Sequence, residues 1–347
     1  MNPDNHTNSN NQDLRHKLLS SVTGSWMAQA AYVAAELNIP DLLLEGPKTI
    51  SELSNNLQTD KKALTKLLNA LIAMGLCRKT DQDTFTYTEM GLLLTENSPD
   101  SLRSWIIWWG SNLWEPWGNL LYSVRTGNSS REHLTGKSGF KHLENNPEQA
   151  KVFNSALVEL TRMAAKDIIN SYDFSKHKII ADIGGGFGEL LIAILKKNND
   201  CSGLLFDLSS TVEEAKKRFR NENLTSRCEF VKGDFFKSLP DNADAYILKS
   251  VLHDWNREKC LNLLENCWKV MNQSSTLLII EQILPDQFSE SIRHQSLARS
   301  DLTMLIAHGA GERTELEYRE LLEETGFKII KILPAGYTFS IIEAEPV

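Results

Sequence analysis

The sequence is short of the features that mark a membrane protein, a secreted disulfide scaffold or a nucleic-acid-binding protein. No apolar run approaches the ~18 residues that a membrane-spanning helix needs. The five cysteines form no Cys-x-x-Cys pair and are odd in number, so we interpret them as reduced thiols of a cytoplasmic protein. The net charge of −8 argues against a grip on nucleic acid by bulk electrostatics.

The first residues also lack the apolar stretch of a secretory signal peptide. They read MNPDNHTNSNNQD, a polar run rich in asparagine. We therefore predict that residues 1–14 form a disordered tail. The whole chain has 347 residues, 41% of them apolar, which is enough for two domains with proper cores.

The stretch KIIADIGGGFG, residues 178–188, indicates the class of ligand. An apolar strand ends in Asp182, a glycine turn follows and a helical pattern begins at once, as in sheets that hold a nucleotide-like ligand. Asp207 ends the next strand and can accept both hydroxyls of a ribose. Glu189 stands where the dinucleotide fingerprint has its third glycine, and no Walker motif occurs. The pattern favours S-adenosylmethionine, which has no phosphate, over NAD.

The pattern of the chain changes near residue 175. Four helices are predicted before it, over 15–37, 49–57, 60–74 and 147–171. With a short hairpin after the third helix, they indicate a mostly α-helical, winged-helix-like domain over residues 15–172. A winged helix can bind DNA, but the chain is acidic overall, and the second helix of this unit, over 60–74, has only Lys61, Lys62 and Lys66 as basic residues. We therefore interpret this domain as a dimerisation and substrate-lid module.

The second part predicts an α/β fold, a Rossmann-like doubly wound sheet over residues 173–347 with a closing antiparallel hairpin. Strands are predicted at about 178–183, 203–207, 228–232, 244–249 and 275–281. Helices are predicted at about 187–198, 211–223, 256–271 and 314–325. The hairpin at the end of the chain departs from a dinucleotide-type sheet. Like the glycine turn, it therefore favours S-adenosylmethionine over NAD and points to a methyltransferase.

Ligands of such a sheet lie beyond the carboxyl ends of its strands, so the residues that follow each strand form the candidate site. Asp234 and Phe235 suit an adenine, with a carboxylate for its amine and a ring for its face. Lys249 could neutralise the carboxylate of the methionine moiety, or form a salt bridge with Asp234 or Asp254. Trp255 could cover the adenine from the other side.

His253 is the candidate general base. It follows the fourth strand within the tripeptide HDW, and an ordinary histidine pKa near 6.5 suits a base at neutral pH. Glu281 and Glu312 can reach it, and a carboxylate on the far ring nitrogen would fix the tautomer and support the imidazolium. We interpret these three residues as the catalytic group and predict no metal.

Taken together, these motifs resemble the class I S-adenosylmethionine-dependent O-methyltransferases of the caffeate, hydroxyindole and phenazine type. The likeness runs from SVTGSWMAQAAYVAAELNIPDLL to GERTELEYRELLEETGFK and includes DIGGGFG, GDFF, LKSVLHDW, IIEQILPD and HGAGERT. The resemblance implies that His253 is the base, that Glu281 and Glu312 support it, and that S-adenosylhomocysteine is the product. It also implies a homodimer formed through the N-terminal domain.

With the strand-end argument, the resemblance gives a cofactor-binding set and an acceptor-facing set. The cofactor-binding residues are Asp182, Gly184, Gly186, Asp207, Leu208, Gly233, Asp234, Phe235, Lys249, Ser250 and Trp255. The acceptor-facing residues are Phe153, Leu157, Met304 and His308. Plant members of the family often carry asparagine where this chain has His308, which bears on the acceptor and not on the chemistry.

We therefore predict methyl transfer to a hydroxyl of a small aromatic acceptor, with neither nucleic acid nor membrane as a partner. Three alternatives stay open. The same fold could methylate nitrogen or carbon, where a base matters less. It could use the bound sulfonium differently, although HDW and both acids argue against this. The chain could also be a ligand-sensing winged-helix regulator, which specific DNA binding at physiological salt would reveal.

Overall fold

The computed structural model describes residues 4–137, 140–144 and 146–347. It divides into two compact units, Met1–Trp114 and Glu115–Val347. This division differs from the boundary that we predict at residues 172 and 173. The reason is that the helix over 147–171 buries Ala165 and Ile168 in the same core as Ile180 and Leu190 of the second unit.

The first unit is mostly helical, with a small antiparallel sheet. Its helices are α1 (Asp4–Glu36), α2 (Ile39–Leu44), α3 (Ile50–Leu57), α4 (Lys61–Ala73), α5 (Glu89–Leu92) and α6 (Arg103–Trp108), and a π-helical turn spans Trp109–Leu113. Strands β1 (Lys48–Thr49), β2 (Cys77–Lys79) and β3 (Thr84–Tyr87) form a sheet of order β1-β3-β2. Two helices followed by a hairpin give the predicted winged-helix order.

Helix α1 is longer than the sequence predicts. Its backbone is helical from Asp4, whereas we predict a disordered tail over residues 1–14; residues 1–3 lie outside the described part of the chain. Extending a helix is easier than starting one, and asparagine disfavours helix only mildly, so the stable helix beyond residue 15 can continue toward the N-terminus.

The second unit holds an extended sheet between helices. Helix α7 (Trp114–Gly118) spans the division between the units. The helices that follow are α8 (Leu120–Thr126), α9 (Ser130–Thr135), α10 (Lys141–Glu144), α11 (Pro147–Ser171), α12 (Glu189–Lys197), α13 (Ser209–Asn221), α14 (Arg257–Val270), α15 (Ile292–His308) and α16 (Glu315–Glu324). The strands are β4 (Ile179–Ile183), β5 (Ser202–Asp207), β6 (Cys228–Lys232), β7 (Ala245–Lys249), β8 (Thr276–Leu284), β9 (Arg313–Thr314), β10 (Phe327–Ala335) and β11 (Phe339–Pro346).

The order of strands confirms the predicted Rossmann-like fold. The sheet runs β10-β11-β8-β7-β4-β5-β6, with β9 paired to β8. Strands β4 to β8 are parallel to one another, and β10 and β11 form the predicted antiparallel hairpin against β8. The chain winds from β4 through β5 to β6 and then returns to β7 on the other side of β4. This reversal opens the crevice in which such sheets bind ligands.

Helix α15 is the longest helix of the second unit that the sequence analysis does not predict. Ser291 caps its N-terminus and Gly309, at φ 64°, ends it. Only Leu297, Ile306 and Ala307 are buried along its 17 residues, so its apolar pattern is too weak to mark a helix.

The described helices and the five cysteines bear on the expected lack of a membrane span and on the expected reduced thiols. Within the described residues, no helix combines the length and the apolar character that crossing a bilayer requires. The five cysteines carry free thiols, and all but Cys228 are buried.

Candidate active site

The glycine turn between β4 and α12 has the backbone conformation that only glycine adopts at low cost. Gly184, Gly186 and Gly188 have φ values of 69°, 59° and 78°. A Cβ on Gly188 would lie 2.4 Å from Cε2 of Phe219, whereas a Cβ on Gly186 would meet nothing within 4 Å. The turn is therefore packed against the core on one side and open at Gly186, as a cradle for a ligand must be.

Asp207 binds this turn from the end of β5. Its Oδ2 accepts the N–H of Gly186 at 2.8 Å, and its Oδ1 accepts the N–H of Leu208 at 2.6 Å. Burial raises the pKa of Asp207, and it raises the pKa of the buried Asp182 to about 7, although Lys249 lowers the latter. The carboxylate expected to hold a ribose is thus already fixed by two backbone donors.

Lys249 ends β7 and reaches helix α11. Its Nζ donates to Oγ1 of Thr161 at 3.0 Å and lies 5.2 Å from the ring centroid of Phe339. These contacts replace the salt bridge with Asp234 or Asp254 that the sequence left open. Burial lowers the pKa of Lys249, while the charges of Glu281 and Asp182 raise it. The next residue, Ser250, has φ 54° and donates its N–H to the carbonyl of Ile280.

Aromatic rings of two strand ends meet beside the glycine turn. The ring of Phe235 lies 4.7 Å from that of Phe236 and 6.1 Å from that of Trp255. A Cβ on Gly184 would lie 3.6 Å from Cε1 of Phe235. The predicted adenine residues therefore share one region with the turn.

The remaining predicted cofactor residues lie at the neighbouring ends of β5 and β6. Asp234 accepts the N–H of Phe236 at 3.0 Å, and Leu208 is an exposed residue just before α13. A Cβ on Gly233 would lie 2.4 Å from Cζ of Phe206, so this glycine is required by packing. These residues border the crevice predicted from the strand ends.

His253 lies in a short 3₁₀ turn, Leu252–Asp254, directly beyond β7. Its Nδ1 is 3.0 Å from Oε1 of Glu312 and 3.4 Å from Oε2 of Glu281, so both expected acids contact the same ring nitrogen. Two carboxylates at Nδ1 place the proton of the neutral ring there. The lone pair of His253 is then on Nε2, the nitrogen available to a substrate.

The two glutamates hold different parts of the structure. Oε1 of Glu281 accepts the backbone N–H groups of Val251 and Leu252, both at 2.9 Å, and so fixes the turn that carries His253. Oε1 of Glu312 accepts the hydroxyl of Ser300 on α15 at 2.7 Å, and so is itself oriented. The sequence analysis missed Ser300, because it does not predict α15.

The charges around His253 favour the imidazolium over the neutral ring, so the pKa of this base is well above the ordinary value near 6.5 that the sequence analysis assumes. Burial is the largest influence and lowers the pKa of His253, but Glu281, Glu312 and Asp254 together outweigh it and raise that pKa to about 10. Burial in turn raises the pKa of Glu281 to about 7, against the charge of His253. The site is therefore arranged to stabilise a proton that arrives on Nε2.

The same three side chains could also hold a metal ion. His253, Glu281 and Glu312 each offer one ligand atom, and these atoms lie within 4.8 Å of one another. A hydrogen bond between Nδ1 of His253 and Oε1 of Glu312, which are 3.0 Å apart, accounts for the same arrangement without a metal ion. That no metal is needed stays a prediction.

A second polar group adjoins the base. Oδ1 of Asp254 lies 3.7 Å from Nε2 of His253 and 3.4 Å from Nε2 of His308. Burial raises the pKa of Asp254 to about 6, although His253 and the buried Arg131 of α9 lower it. No motif marks Arg131, which reaches this cluster from more than a hundred residues earlier in the chain.

The predicted acceptor-facing residues lie on α11 and α15. The ring of Phe140 is 5.8 Å from Phe153, 6.1 Å from Trp255 and 4.9 Å from His308, so it joins three predicted site residues. Leu157 is 39% exposed, one turn beyond Phe153 on α11. Met304 precedes His308 by one turn on α15. The sequence analysis missed Phe140, which lies in no motif.

Family models match both parts of the chain. A model described as an O-methyltransferase domain matches residues 117–328, and one described as an O-methyltransferase dimerisation domain matches residues 19–97. The phenazine O-methyltransferase PhzM of Lysobacter antibioticus is 37% identical over 330 residues, which are 95% of this chain and 96% of that protein.

Solved structures of similar enzymes carry ligands. Human N-acetylserotonin methyltransferase in complex with S-adenosylmethionine has a TM-score of 0.89 and 27% identity, covering 96% of this chain and 97% of that one. An O-methyltransferase from neocarzinostatin biosynthesis, with S-adenosylmethionine and 2-hydroxy-5-methyl naphthoic acid, has a TM-score of 0.79 and 28% identity, covering 92% and 96%.

Proposed function

This chain belongs to the S-adenosylmethionine-dependent O-methyltransferases, and from that premise we propose that it methylates a hydroxyl group of a small aromatic molecule. An aromatic acceptor is supported by one relative that is named a phenazine O-methyltransferase and by another whose structure contains a naphthoic acid. The observation that carries the proposal is His253, whose Nδ1 is held by Glu312 and Glu281 so that Nε2 is left for a substrate.

The crevice has the chemistry to hold S-adenosylmethionine, which supplies an electrophilic methyl group on its sulfonium when bound. Asp207 would accept the ribose hydroxyls beside the open glycine turn at Gly186. Phe235 and Trp255 offer ring faces for adenine, and Lys249 offers a positive charge for the methionine carboxylate.

We assign proton transfer to His253. Nε2 takes the proton of the acceptor hydroxyl, which leaves its oxygen as the nucleophile. Glu312 keeps the proton of Nδ1 in place, and Glu281 holds the turn through the N–H groups of Val251 and Leu252. Most of the rate would come from holding the two reactants in line in a dry site.

The test is the His253→Gln variant. We expect kcat to fall by about 10²- to 10⁴-fold, as for loss of a general base. Titration calorimetry with S-adenosylhomocysteine should show nearly unchanged binding, with NAD as the negative control. His294→Gln, at a half-buried histidine that contacts Ser289 on α15's N-terminal side, is the matched control and should keep full activity. An unchanged kcat in His253→Gln would remove the base from the mechanism.

We also propose that the chain works as a homodimer through its first unit. Helix α1 exposes an apolar stripe with a period of four residues, formed by Leu14, Leu18, Val22 and Trp26, each at least 60% exposed. Such a stripe is costly in water and is of the kind that a second copy covers. The match to a dimerisation domain over residues 19–97 supports that partner.

Light scattering on a sizing column tests the dimer. The wild type should run at twice the chain mass of 39.2 kDa, and Leu18→Glu with Val22→Glu should shift it toward one chain. The control pair Glu213→Gln and Glu214→Gln changes exposed residues of α13 and should stay dimeric. A single-chain mass for the wild type would contradict the proposal.

We further propose that the enzyme acts in the cytoplasm and does not bind nucleic acid.

A further inference from the structure

Arg313 is a buried arginine that donates to the backbone of the turn carrying His253. It follows Glu312 directly, at the start of β9, and it is 9% exposed. Its Nη1 donates to the carbonyl oxygen of Leu252 at 2.8 Å, and its Nη2 donates to that of Trp255 at 2.6 Å. Because a buried charge is costly unless it is hydrogen-bonded, these two bonds tie the guanidinium and the turn to each other.

Opposite charges hold the two ends of this turn. At its start, Glu281 accepts the N–H groups of Val251 and Leu252. At its end, the guanidinium faces the carbonyl oxygens, and this order of charges stabilises a helical turn. Cys260 adds a weaker donor, with its Sγ 3.3 Å from the carbonyl oxygen of Leu252 and 3.5 Å from that of Trp255. The turn is therefore restrained at both ends.

The two side chains that leave this turn have different tasks in the proposed reaction. His253 is the base, and the ring of Trp255 would cover the adenine. That ring is also packed by Phe236, at 4.8 Å between centroids, and by Nζ of Lys259, 4.4 Å from its centroid. Arg313 bonds to the peptide group just before His253 and to the carbonyl of Trp255. A shift of its guanidinium would therefore displace both side chains.

We propose, on the basis of the methyl transfer proposed above, that Arg313 is a positioning residue which joins the base to the adenine-binding wall. It acts through His253 and Trp255 and not on a reactant. By holding both in one frame, it sets the distance between Nε2 of His253 and the cofactor, and so the place from which the deprotonated oxygen attacks. Displacements of about 1 Å in such an arrangement can cost about 100-fold in rate.

The Arg313→Lys variant tests this role. Lysine keeps the charge but lacks the planar fork that reaches two oxygens at once. Calorimetry is carried out with S-adenosylhomocysteine and with 5′-methylthioadenosine, which has the adenine but no amino-acid group. Both should bind about 10-fold more weakly, as expected for loss of one hydrogen bond to a charged group, because the wall at Trp255 is displaced.

The pKa of His253 is the second measurement, and it needs no acceptor. NMR of histidine-labelled protein follows the ring as the pH changes. Glu281, Glu312, Asp254 and His308 lie around this ring and are unchanged in the variant. The pKa should fall by about 1 unit, since the ring moves relative to the two glutamates that raise it.

Three control variants separate this role from others. Glu312→Gln should lower the pKa of the base and leave the binding of 5′-methylthioadenosine unchanged. Thr161→Val should weaken only S-adenosylhomocysteine, which has the amino-acid group. Arg220→Lys, at an exposed arginine of α13, should change neither measurement. Arg313→Lys alone should change both, and a change in only one of them, or in neither, would overturn the inference.

The wild type provides a test that does not depend on the folding of the variant. Near-ultraviolet circular dichroism reports whether Arg313→Lys is folded. If it is not, hydrogen exchange of the wild type decides. The amides of residues 251–255 should exchange more slowly with 5′-methylthioadenosine bound, since a ligand on Trp255 then restrains the whole turn. Exchange that does not slow would overturn the inference.

The two proposals fail in different ways. Unchanged binding and an unchanged pKa in Arg313→Lys, with methyl transfer intact, would end the inference alone. Absence of methyl transfer to any hydroxyl in the wild type would end the proposed function, whereas the binding and pKa results on Arg313 are obtained without an acceptor.

Discussion

Replacing Glu312 by glutamine removes a negative charge from Nδ1 of His253 with almost no change in volume. The two atoms are 3.0 Å apart, a separation at which unit charges interact by about 5 kcal/mol at an effective dielectric constant of 20. Glu281 remains at 3.4 Å and keeps part of the stabilisation. A single neighbouring charge shifts a pKa by about 1 to 3 units, so we expect the pKa of His253 to fall by about 1 to 2 units.

The rate of methyl transfer as a function of pH measures this shift. The pKa of His253 is raised to about 10, so the base is protonated at low pH and kcat rises as pH increases through that pKa. In Glu312→Gln the rising limb should move to lower pH. The plateau should fall by about 10- to 100-fold, because the imidazolium that forms during the reaction loses one of its carboxylates.

The control is Glu315→Gln, which removes the same charge from an exposed residue paired with Arg319. It should leave both the limb and the plateau unchanged. The reasoning would be refuted by a limb that stays in place in Glu312→Gln, or that moves to higher pH. It would also be refuted if binding of S-adenosylhomocysteine fell in parallel with kcat, since the change would then be structural.

Three further changes test the crevice around the base. Asp207→Asn should weaken S-adenosylhomocysteine binding by about 10- to 100-fold in calorimetry, because a charged acceptor is lost. Gly188→Ala should lower the unfolding free energy by about 1 to 3 kcal/mol in chemical denaturation, because its Cβ would meet Phe219. Thr161→Val should raise KM for S-adenosylmethionine severalfold with little change in kcat, because Lys249 loses its hydrogen bond to α11.

The sequence predicts most of the second unit because the rules for parallel sheets are local. Strands β4, β5, β7 and β8 are short, mostly apolar runs, and each carries a polar residue in its C-terminal half, toward the ligand edge. Asp182, Asp207 and Glu281 could therefore be placed at one edge without knowing any tertiary contact. The helix and strand limits agree to within a few residues, and the O-methyltransferase family is confirmed by the comparisons.

What the sequence does not predict are contacts made by elements outside this rule. Arg131 lies on the short helix α9, and Ser300 lies on α15, whose weak apolar pattern hides it. Thr161 reaches Lys249 from α11 across 88 positions of sequence. Such pairs depend on how helices pack over the sheet, which side-chain periodicity alone does not encode.

The two glutamates at Nδ1 should not act independently. The charge of Glu312 helps to raise the pKa of Glu281, so removing Glu312 makes Glu281 a better partner for His253 and hides part of the loss. In Glu281→Gln, Glu312 stays in place and again limits the shift. The double variant, with both Glu281→Gln and Glu312→Gln, has no such compensation. The rising limb of its pH–rate profile should therefore move by more than the sum of the shifts in the two single variants. Additive shifts would mean that each glutamate acts on His253 alone, without changing the ionisation of the other.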